Sequence, residues 1–253
     1  MTNRPDWWRE FFSGLVLDFV GESRDYETTV TEADFIEETL GLAPGASILD
    51  VPCGAGRLSL ELAARGYAVT GVDLAQPLLQ QAARQAESRS LRADWECRDM
   101  RNLPWDAQFD AALCWWSSFG YFDEAGNQEF LQAVSRCLRP GAPLLLDTPL
   151  LETRLPEMIA EERVWWPVGD LLALEDRTFD HVTSRVQSQW TLLRDGQREQ
   201  KSLSLRLYTY RELAQMLEAA GFSEHRAYGS LEWEPFELGA PWLYLLTRKA
   251  ANA

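Results

Sequence analysis

Residues 47–73, SILDVPCGAGRLSLELAARGYAVTGVD, leave this chain few folds to choose from. Ile48-Leu49-Asp50-Val51 is a short apolar run of the kind that forms a strand buried on both faces. Pro52-Cys53-Gly54-Ala55-Gly56 predicts a tight turn. Leu58, Leu60, Leu62, Ala63 and Ala64 then mark the apolar face of a helix that stops at Gly66. Residues 67–72 predict a second strand, closed by Asp73. Strand, glycine turn, helix, strand and terminal acid compose one right-handed βαβ unit, which takes a nucleoside at the carboxyl ends of its strands.

Gly54 and Gly56 lack a Cβ, so the turn can reach φ > 0 and bring its backbone close to a ligand. The N–H groups that open the next helix have no intrahelical partners and favour a carboxylate or phosphate. Asp73, 23 residues beyond Asp50, stands at the following strand tip, where its carboxylate can accept both hydroxyls of a ribose. A glycine turn by itself says little; the complete unit with its acid says much more.

Asp50-x-Pro52-x-Gly54-x-Gly56, followed by Gly71-Val72-Asp73, resembles motif I and the following acid of class I S-adenosylmethionine-dependent methyltransferases. The resemblance continues through Cys97-Arg98-Asp99-Met100, Phe109-Asp110-Ala111-Ala112-Leu113-Cys114, Leu138-Arg139-Pro140-Gly141 and Ala220-Gly221-Phe222, and so covers residues 30–150 and 207–249. It departs at Pro52, where the broader superfamily has its first glycine; proline fixes φ near about −65° and stiffens that corner without removing the site. The resemblance implies a Rossmann-like, doubly wound α/β sheet of seven strands, the seventh antiparallel, with S-adenosyl-L-methionine as cofactor. It implies cofactor contacts from Asp50, Pro52, Cys53, Gly54 and Gly56, from Asp73 and Leu74, from Asp99 and Met100, and from Cys114 and Trp115. In such enzymes an acid at the place of Asp99 accepts the adenine amino group and the next backbone N–H meets a ring nitrogen. The plainer reading is that Asp99 caps the turn before Leu103-Pro104.

The formal net charge of −15 argues against a nucleic-acid phosphate backbone as partner, while leaving a small basic acceptor favoured by the field. The chain has no run of 18 apolar residues, and MTNRPDWWREFF has no signal-peptide core, so a cytoplasmic protein without a membrane partner is expected. Cys53, Cys97, Cys114 and Cys137 are scattered, with no metal spacing, as reduced cysteines would be. The length suits one domain, residues 1–253, with residues 1–43 as an N-terminal helical cap and 151–208 as an inserted antiparallel β element after the fifth strand. A homodimer formed through that insertion is a further expectation.

Trp7, Trp8, Phe11, Phe12, Leu15, Val16 and Phe19 make the N-terminal segment too apolar for a free tail: it either packs on the flank or forms a lid, with Tyr26 beside it. Thr31 begins a predicted helix ending at Gly41, residues 75–87 predict another, and 95–97 a third strand. The fourth strand, 109–114, runs into Trp115-Trp116-Ser117-Ser118-Phe119-Gly120-Tyr121-Phe122. This loop resembles a Ser-Phe-Gly-Tyr-Phe version found in small-molecule-type methyltransferases and lacks the Asn/Asp-Pro-Pro-Tyr motif of enzymes acting on planar amines. Asp123 caps a predicted helix to Cys137, residues 144–148 predict the fifth strand, and 151–162 a short helix. From Val164 to Tyr208 the pattern is extended, with His181 at a strand start and a hairpin turn at Asp195-Gly196. On the returning strand Leu203, Leu205 and Leu207 share one face; Ser202, Ser204, Arg206 and Tyr208 share the other, which is either solvated or turned to the acceptor. An amphipathic helix over 210–220 and strands at 223–229 and 242–247 complete the pattern.

The expected reaction is in-line transfer of a methyl group to an N or O nucleophile of a small molecule, driven by positioning and exclusion of water. Trp115 and Tyr121, with Trp7 or Trp8, offer aromatic faces to a sulfonium; Arg206 and Tyr208 are the candidate acceptor wall. His181 and His225 read as structural. A NAD-dependent oxidoreductase is the competing enzyme, but it predicts a glycine where Ser59 stands and gives Asp99 no role. A non-catalytic protein that binds S-adenosylmethionine or assembles through the hairpin is the non-enzymatic alternative.

Overall fold

The computed structural model describes residues 6–160 and 163–251. Three helices come first: α1 (Trp8–Phe11), α2 (Leu15–Glu22) and α3 (Tyr26–Leu40). Strands and helices then alternate through β1 (Ser47–Asp50), α4 (Arg57–Ala64), β2 (Ala68–Asp73), α5 (Gln76–Ser88), β3 (Ala93–Cys97), β4 (Ala111–Cys114), α6 (Glu124–Cys137), β5 (Pro143–Thr148) and α7 (Leu151–Ala160). Four strands without helices follow: β6 (Arg163–Val168), β7 (Leu171–Asp180), β8 (Arg185–Arg194) and β9 (Gln197–Arg206). The chain returns through α8 (Tyr210–Ala219), β10 (Phe222–Tyr228) and β11 (Leu243–Lys249).

Seven strands form one sheet in the order β10-β11-β5-β4-β1-β2-β3. β1 pairs in parallel with β2 and β4, whereas β11 is antiparallel to both β5 and β10. This is the doubly wound sheet with an antiparallel seventh strand that the sequence leads one to expect. Leu144, Leu145 and Leu146 of β5 are fully buried because helices cover both faces, which is why the strand reads as an unbroken apolar run. Because β1 and β4 are adjacent, the chain direction of the winding reverses there, and the crevice at their carboxyl ends is the place where such sheets hold ligands.

Local signals set most boundaries. Asp123 accepts the Gly126 N–H at 2.8 Å and starts α6, as predicted. Thr209 and Glu212 form a reciprocal capping box on α8. The helix expected from Thr31 starts instead at Tyr26, because Asp25 accepts the Thr28 N–H at 2.8 Å and supplies an earlier cap. For α7, the expected end at Glu162 lies outside the described residues.

The four later strands form a separate antiparallel sheet in the order β6-β7-β8-β9. The hairpin predicted at Asp195-Gly196 is present, both residues having positive φ, as a two-residue turn requires. His181 does not begin a strand; it sits in the exposed turn between β7 and β8. One face of this sheet carries the N-terminal helices α1 and α2. Trp190 meets Phe11 and Phe19 edge-on at centroid distances of 5.6 and 4.9 Å. Glu199 accepts the Leu15 N–H that opens α2 at 2.6 Å, and Arg194 pairs with Asp18 and Glu22 of that helix at 3.0 and 2.6 Å. The opposite face is solvent-exposed at Ser202 but buried at Ser204 and Arg206, so the expected choice between a solvated and a docked polar face resolves differently along one strand.

Candidate active site

A cavity of about 440 Å³ opens at the carboxyl ends of β1, β2 and β3 beneath α1 and α2. Its polar centre is Asp73. One carboxylate oxygen accepts the Gly54 N–H and the other the Ala75 N–H, each at 2.8 Å, so one side chain ties the glycine turn to the start of α5. Burial pushes the Asp73 carboxyl above its ordinary value, and these two backbone donors oppose that. Asp73 also lines the cavity. Asp50, at the tip of β1, is buried and accepts the Ser59 hydroxyl at 2.5 Å; burial raises its pKa to about 6. Pro52, Cys53, Gly54 and Leu74 complete this rim, and the Val51–Pro52 peptide is cis.

Gly56 was expected at the same rim, but it does not line the cavity. It has φ +74°, and a Cβ there would stand 2.5 Å from the Trp95 ring and 2.8 Å from the Ala82 Cβ. Its role is to let the turn close over Trp95. Gly54, with φ +56° and only Val20 within 4 Å of a notional Cβ, is the glycine that faces the cavity.

Asp99 and Met100 follow β3 and line the adjoining wall. Burial pushes the Asp99 carboxyl up, but its two-pronged pairing with Arg101, at 3.0 and 2.7 Å, outweighs this and lowers its pKa. Arg101 in turn lies over the Phe122 ring at 4.1 Å. Trp115 and Tyr121 of the fourth-strand loop line the far side. Trp115 is backed by Tyr244 at a centroid distance of 5.4 Å, and Tyr121 is wedged between Trp7 and Phe12 at 5.0 and 6.2 Å.

Four expected positions lie elsewhere. The Cys114 side chain is fully buried in the sheet, where burial raises its thiol pKa, and Cys114 does not line the cavity. Arg206 bridges Glu124 at 2.6 Å and Glu212 at 3.0 Å, fastening β9 to α6 and α8 rather than facing the cavity. Tyr208 donates to Glu124 at 2.7 Å and accepts from Asn127 at 2.9 Å, in the same buried seam. Tyr26 is 67% exposed at the start of α3 and covers no part of the cavity. The parity of β9 was legible; the identity of its docking partner is a tertiary fact.

The sequence reading missed several residues. Arg9, Ser13 and Val20 bring the N-terminal segment into the cavity, and Arg57 and Arg98 line its wall. Asp147, at the tip of β5, was also missed, although strand-tip acids were the guiding signal at Asp50, Asp73 and Asp99. It accepts the Ser117 N–H at 3.1 Å and the Trp242 indole N–H at 2.8 Å. It thereby fixes a loop in which Trp116 and Ser117 both have positive φ. Burial raises its pKa to about 7. An acid whose folded pKa is raised favours the folded state at low pH, and this contribution is lost as pH rises through the folded value. Asp147→Asn should therefore gain stability relative to the wild type by roughly 3 kcal/mol between pH 5 and pH 8. Denaturant unfolding at several pH values checks this. The comparison of two proteins cancels His225, whose pKa burial lowers and whose effect has the opposite sign. A difference that stays constant with pH would contradict the assignment.

Residues 48–141 match the family model described as a methyltransferase domain. The chain is 31% identical over 145 residues to the ubiquinone biosynthesis O-methyltransferase of Coxiella burnetii (strain Dugway 5J108-111), which covers 56% of each chain. It thus spans about half the length of the curated relatives it matches. Among solved structures, the CcbJ methyltransferase of Streptomyces caelestis superimposes with a TM-score of 0.80 at 17% identity, over 98% of this chain and 100% of that one. An S-adenosylmethionine-dependent methyltransferase of Clostridium acetobutylicum ATCC 824 gives 0.78 at 21% identity, over 93% and 96%. At these identities the structural likeness speaks for the fold.

Proposed function

We propose that this chain, whose residues 48–141 match a methyltransferase domain, is a class I S-adenosylmethionine-dependent methyltransferase that moves the sulfonium methyl group to an N or O nucleophile of a small molecule. The observation that carries the reading is Asp73 itself: a buried acid bonded to the glycine turn, at the strand tips, in a cavity that Trp8, Phe12, Trp115 and Tyr121 also line. The cavity fits a cationic nucleoside. Asp73 and Gly54 offer a ribose site, Asp99 and the Met100 backbone an edge for adenine, and Trp115 and Tyr121 faces for a positive sulfur. Arg98 also lines the wall, and its buried Nε has no hydrogen-bond partner among the described residues.

S-adenosylmethionine, when bound, supplies an activated methyl group that any aligned nucleophile can take. The protein's part is alignment and dryness, which in favourable systems lowers a barrier by about 7–11 kcal/mol. Proton removal by a phenolate is disfavoured, since burial raises the pKa of both Tyr121 and Tyr208. Neither histidine lines the cavity. The reading is therefore of an acceptor that arrives already nucleophilic, such as a neutral amine or an acidic hydroxyl. The name of the Coxiella burnetii relative supports oxygen as the acceptor atom.

Ser59 bears on the oxidoreductase alternative. It is fully buried and holds Asp50, in the place where a dinucleotide fold would require its third glycine. The strongly acidic chain likewise supports a small molecule over nucleic acid as partner. Incubation with S-adenosylmethionine and fractionated metabolite pools should release S-adenosylhomocysteine with a small-molecule fraction. Turnover only with RNA, DNA or protein would refute the acceptor class.

A further inference from the structure

Arg185 opens β8 of the inserted sheet, directly opposite Arg206 on β9. Two arginines facing each other across a ladder repel unless each is compensated. Arg206 has Glu124 and Glu212. Arg185 has no carboxylate within ion-pair distance among the described residues, although burial is strong enough to lower its pKa. Its compensation is unusual: the guanidinium donates to backbone carbonyls. Nη1 donates to the Phe122 carbonyl at 2.8 Å, and Nη2 to those of Tyr121 at 3.1 Å and Gly120 at 3.4 Å. Nη2 also donates to the Ser204 carbonyl at 2.7 Å and Nε to the Ser204 hydroxyl at 2.8 Å, which anchors the fork to β9. Three successive carbonyls of the fourth-strand loop thus converge on one side chain of the insertion.

The loop needs such an anchor. Trp116, Ser117 and Gly120 have positive φ, so it follows no regular ladder. At Gly120 a Cβ would lie 2.4 Å from the Arg206 carbonyl oxygen, and the Arg206 N–H donates to the Gly120 carbonyl at 2.9 Å. The insertion therefore presses against the loop from both β8 and β9. What the loop carries is the cavity wall: Tyr121 against Trp7 and Phe12 of the N-terminal segment, and Phe122 against Trp8 at 5.2 Å and under Arg101, the partner of Asp99.

We propose that Arg185 is a positioning residue for methyl transfer, holding the Gly120–Phe122 backbone so that Tyr121 and Phe122 meet the reacting groups and the N-terminal segment in one fixed arrangement. This rests on the methyltransferase reading given above. It touches neither cofactor nor acceptor: Arg185 does not line the cavity. Its predicted signature is a loss of turnover with little loss of cofactor binding, since Asp73, Gly54 and Asp99 hold the nucleoside from other elements.

The test uses the full chain with Arg185→Met and Arg185→Lys. Amide hydrogen exchange at 118–123 should quicken in R185M while exchange in β1 and α4 is unchanged. Affinity for S-adenosylhomocysteine should stay within about threefold, and kcat should fall by about 100-fold, the scale of a misplacement near 1 Å. R185K, which keeps the charge but replaces a planar fork by a single ammonium, should recover part of kcat. If R185M does not fold, R185K decides. Wild-type exchange at 118–123 and wild-type kcat in R185K would then overturn the proposal, as would an R185M protein with an unchanged loop or turnover. Exchange needs no substrate, so a wild-type protein that turns over no acceptor refutes the methyltransferase reading, while the loop measurement still decides whether Arg185 holds the loop.

Discussion

Asp73→Ala is expected to weaken S-adenosylmethionine binding by roughly 10- to 150-fold, the equivalent of about 1.5–3 kcal/mol for lost hydrogen bonds to a charged group. Two losses combine. The ribose loses its acceptor, and the Gly54 and Ala75 N–H groups lose theirs, so the turn that the nucleoside rests on is no longer held to α5. Asp73→Asn separates the two, because an amide keeps one carbonyl oxygen for the backbone but cannot replace both carboxylate oxygens. Its affinity should fall between the wild type and D73A. Calorimetry on proteins shown to be folded checks the series. Equal affinity in all three would remove Asp73 from the binding site.

The second large effect is on stability. Gly56→Ala should cost about 2–5 kcal/mol, adding a left-handed alanine at about 1–2 kcal/mol to overpacking at about 1–3 kcal/mol. The overpacking has a named partner: the new Cβ meets the Trp95 ring at 2.5 Å. For a domain of this size the melting temperature should drop by roughly 5–15 °C. Gly54→Ala, two residues away, keeps the backbone penalty without the clash, since only Val20 comes within 4 Å, so its cost should stop at about 1–2 kcal/mol. Combining G56A with Trp95→Leu should return the Trp95 share of the overpacking but neither the Ala82 contact nor the backbone part, giving a coupling of up to about 3 kcal/mol in a double-mutant cycle. Equal destabilisation by G54A and G56A would contradict this packing account.

These two residues also show what a sequence can and cannot reveal. The glycine turn and Asp73 were legible because their signals are local: strand, turn, helix and acid succeed one another within 27 residues. The hairpin at Asp195-Gly196 and the cap at Asp123 were legible for the same reason. Gly56 was legible as a glycine but not by its purpose, because Trp95 reaches it from another strand. Arg206 was placed on the correct face of β9, and that face was then given the wrong neighbour; Tyr208 lies beyond the end of the strand. Strand parity states which side chains travel together, whereas only the docked structure brings Glu124 and Glu212 to meet them. Arg185 carried no local signal for its hold on the loop, since its partners there are main-chain carbonyls 63–65 residues away, and carbonyls leave no mark in a sequence. Asp147 was within reach, because the strand-tip reasoning applied at β1, β2 and β3 extends to β5 without change.

The central claim is that the strand-tip cavity holds S-adenosylmethionine. The most direct measurement is a side-by-side calorimetric titration of the wild-type chain with S-adenosylmethionine, S-adenosylhomocysteine and NAD, repeated on D73A. The account predicts one site per chain for the two sulfur nucleosides, no heat from NAD, and the loss of affinity in D73A stated above. Saturable binding of NAD with none of S-adenosylmethionine, or S-adenosylmethionine binding that D73A leaves untouched, would contradict it.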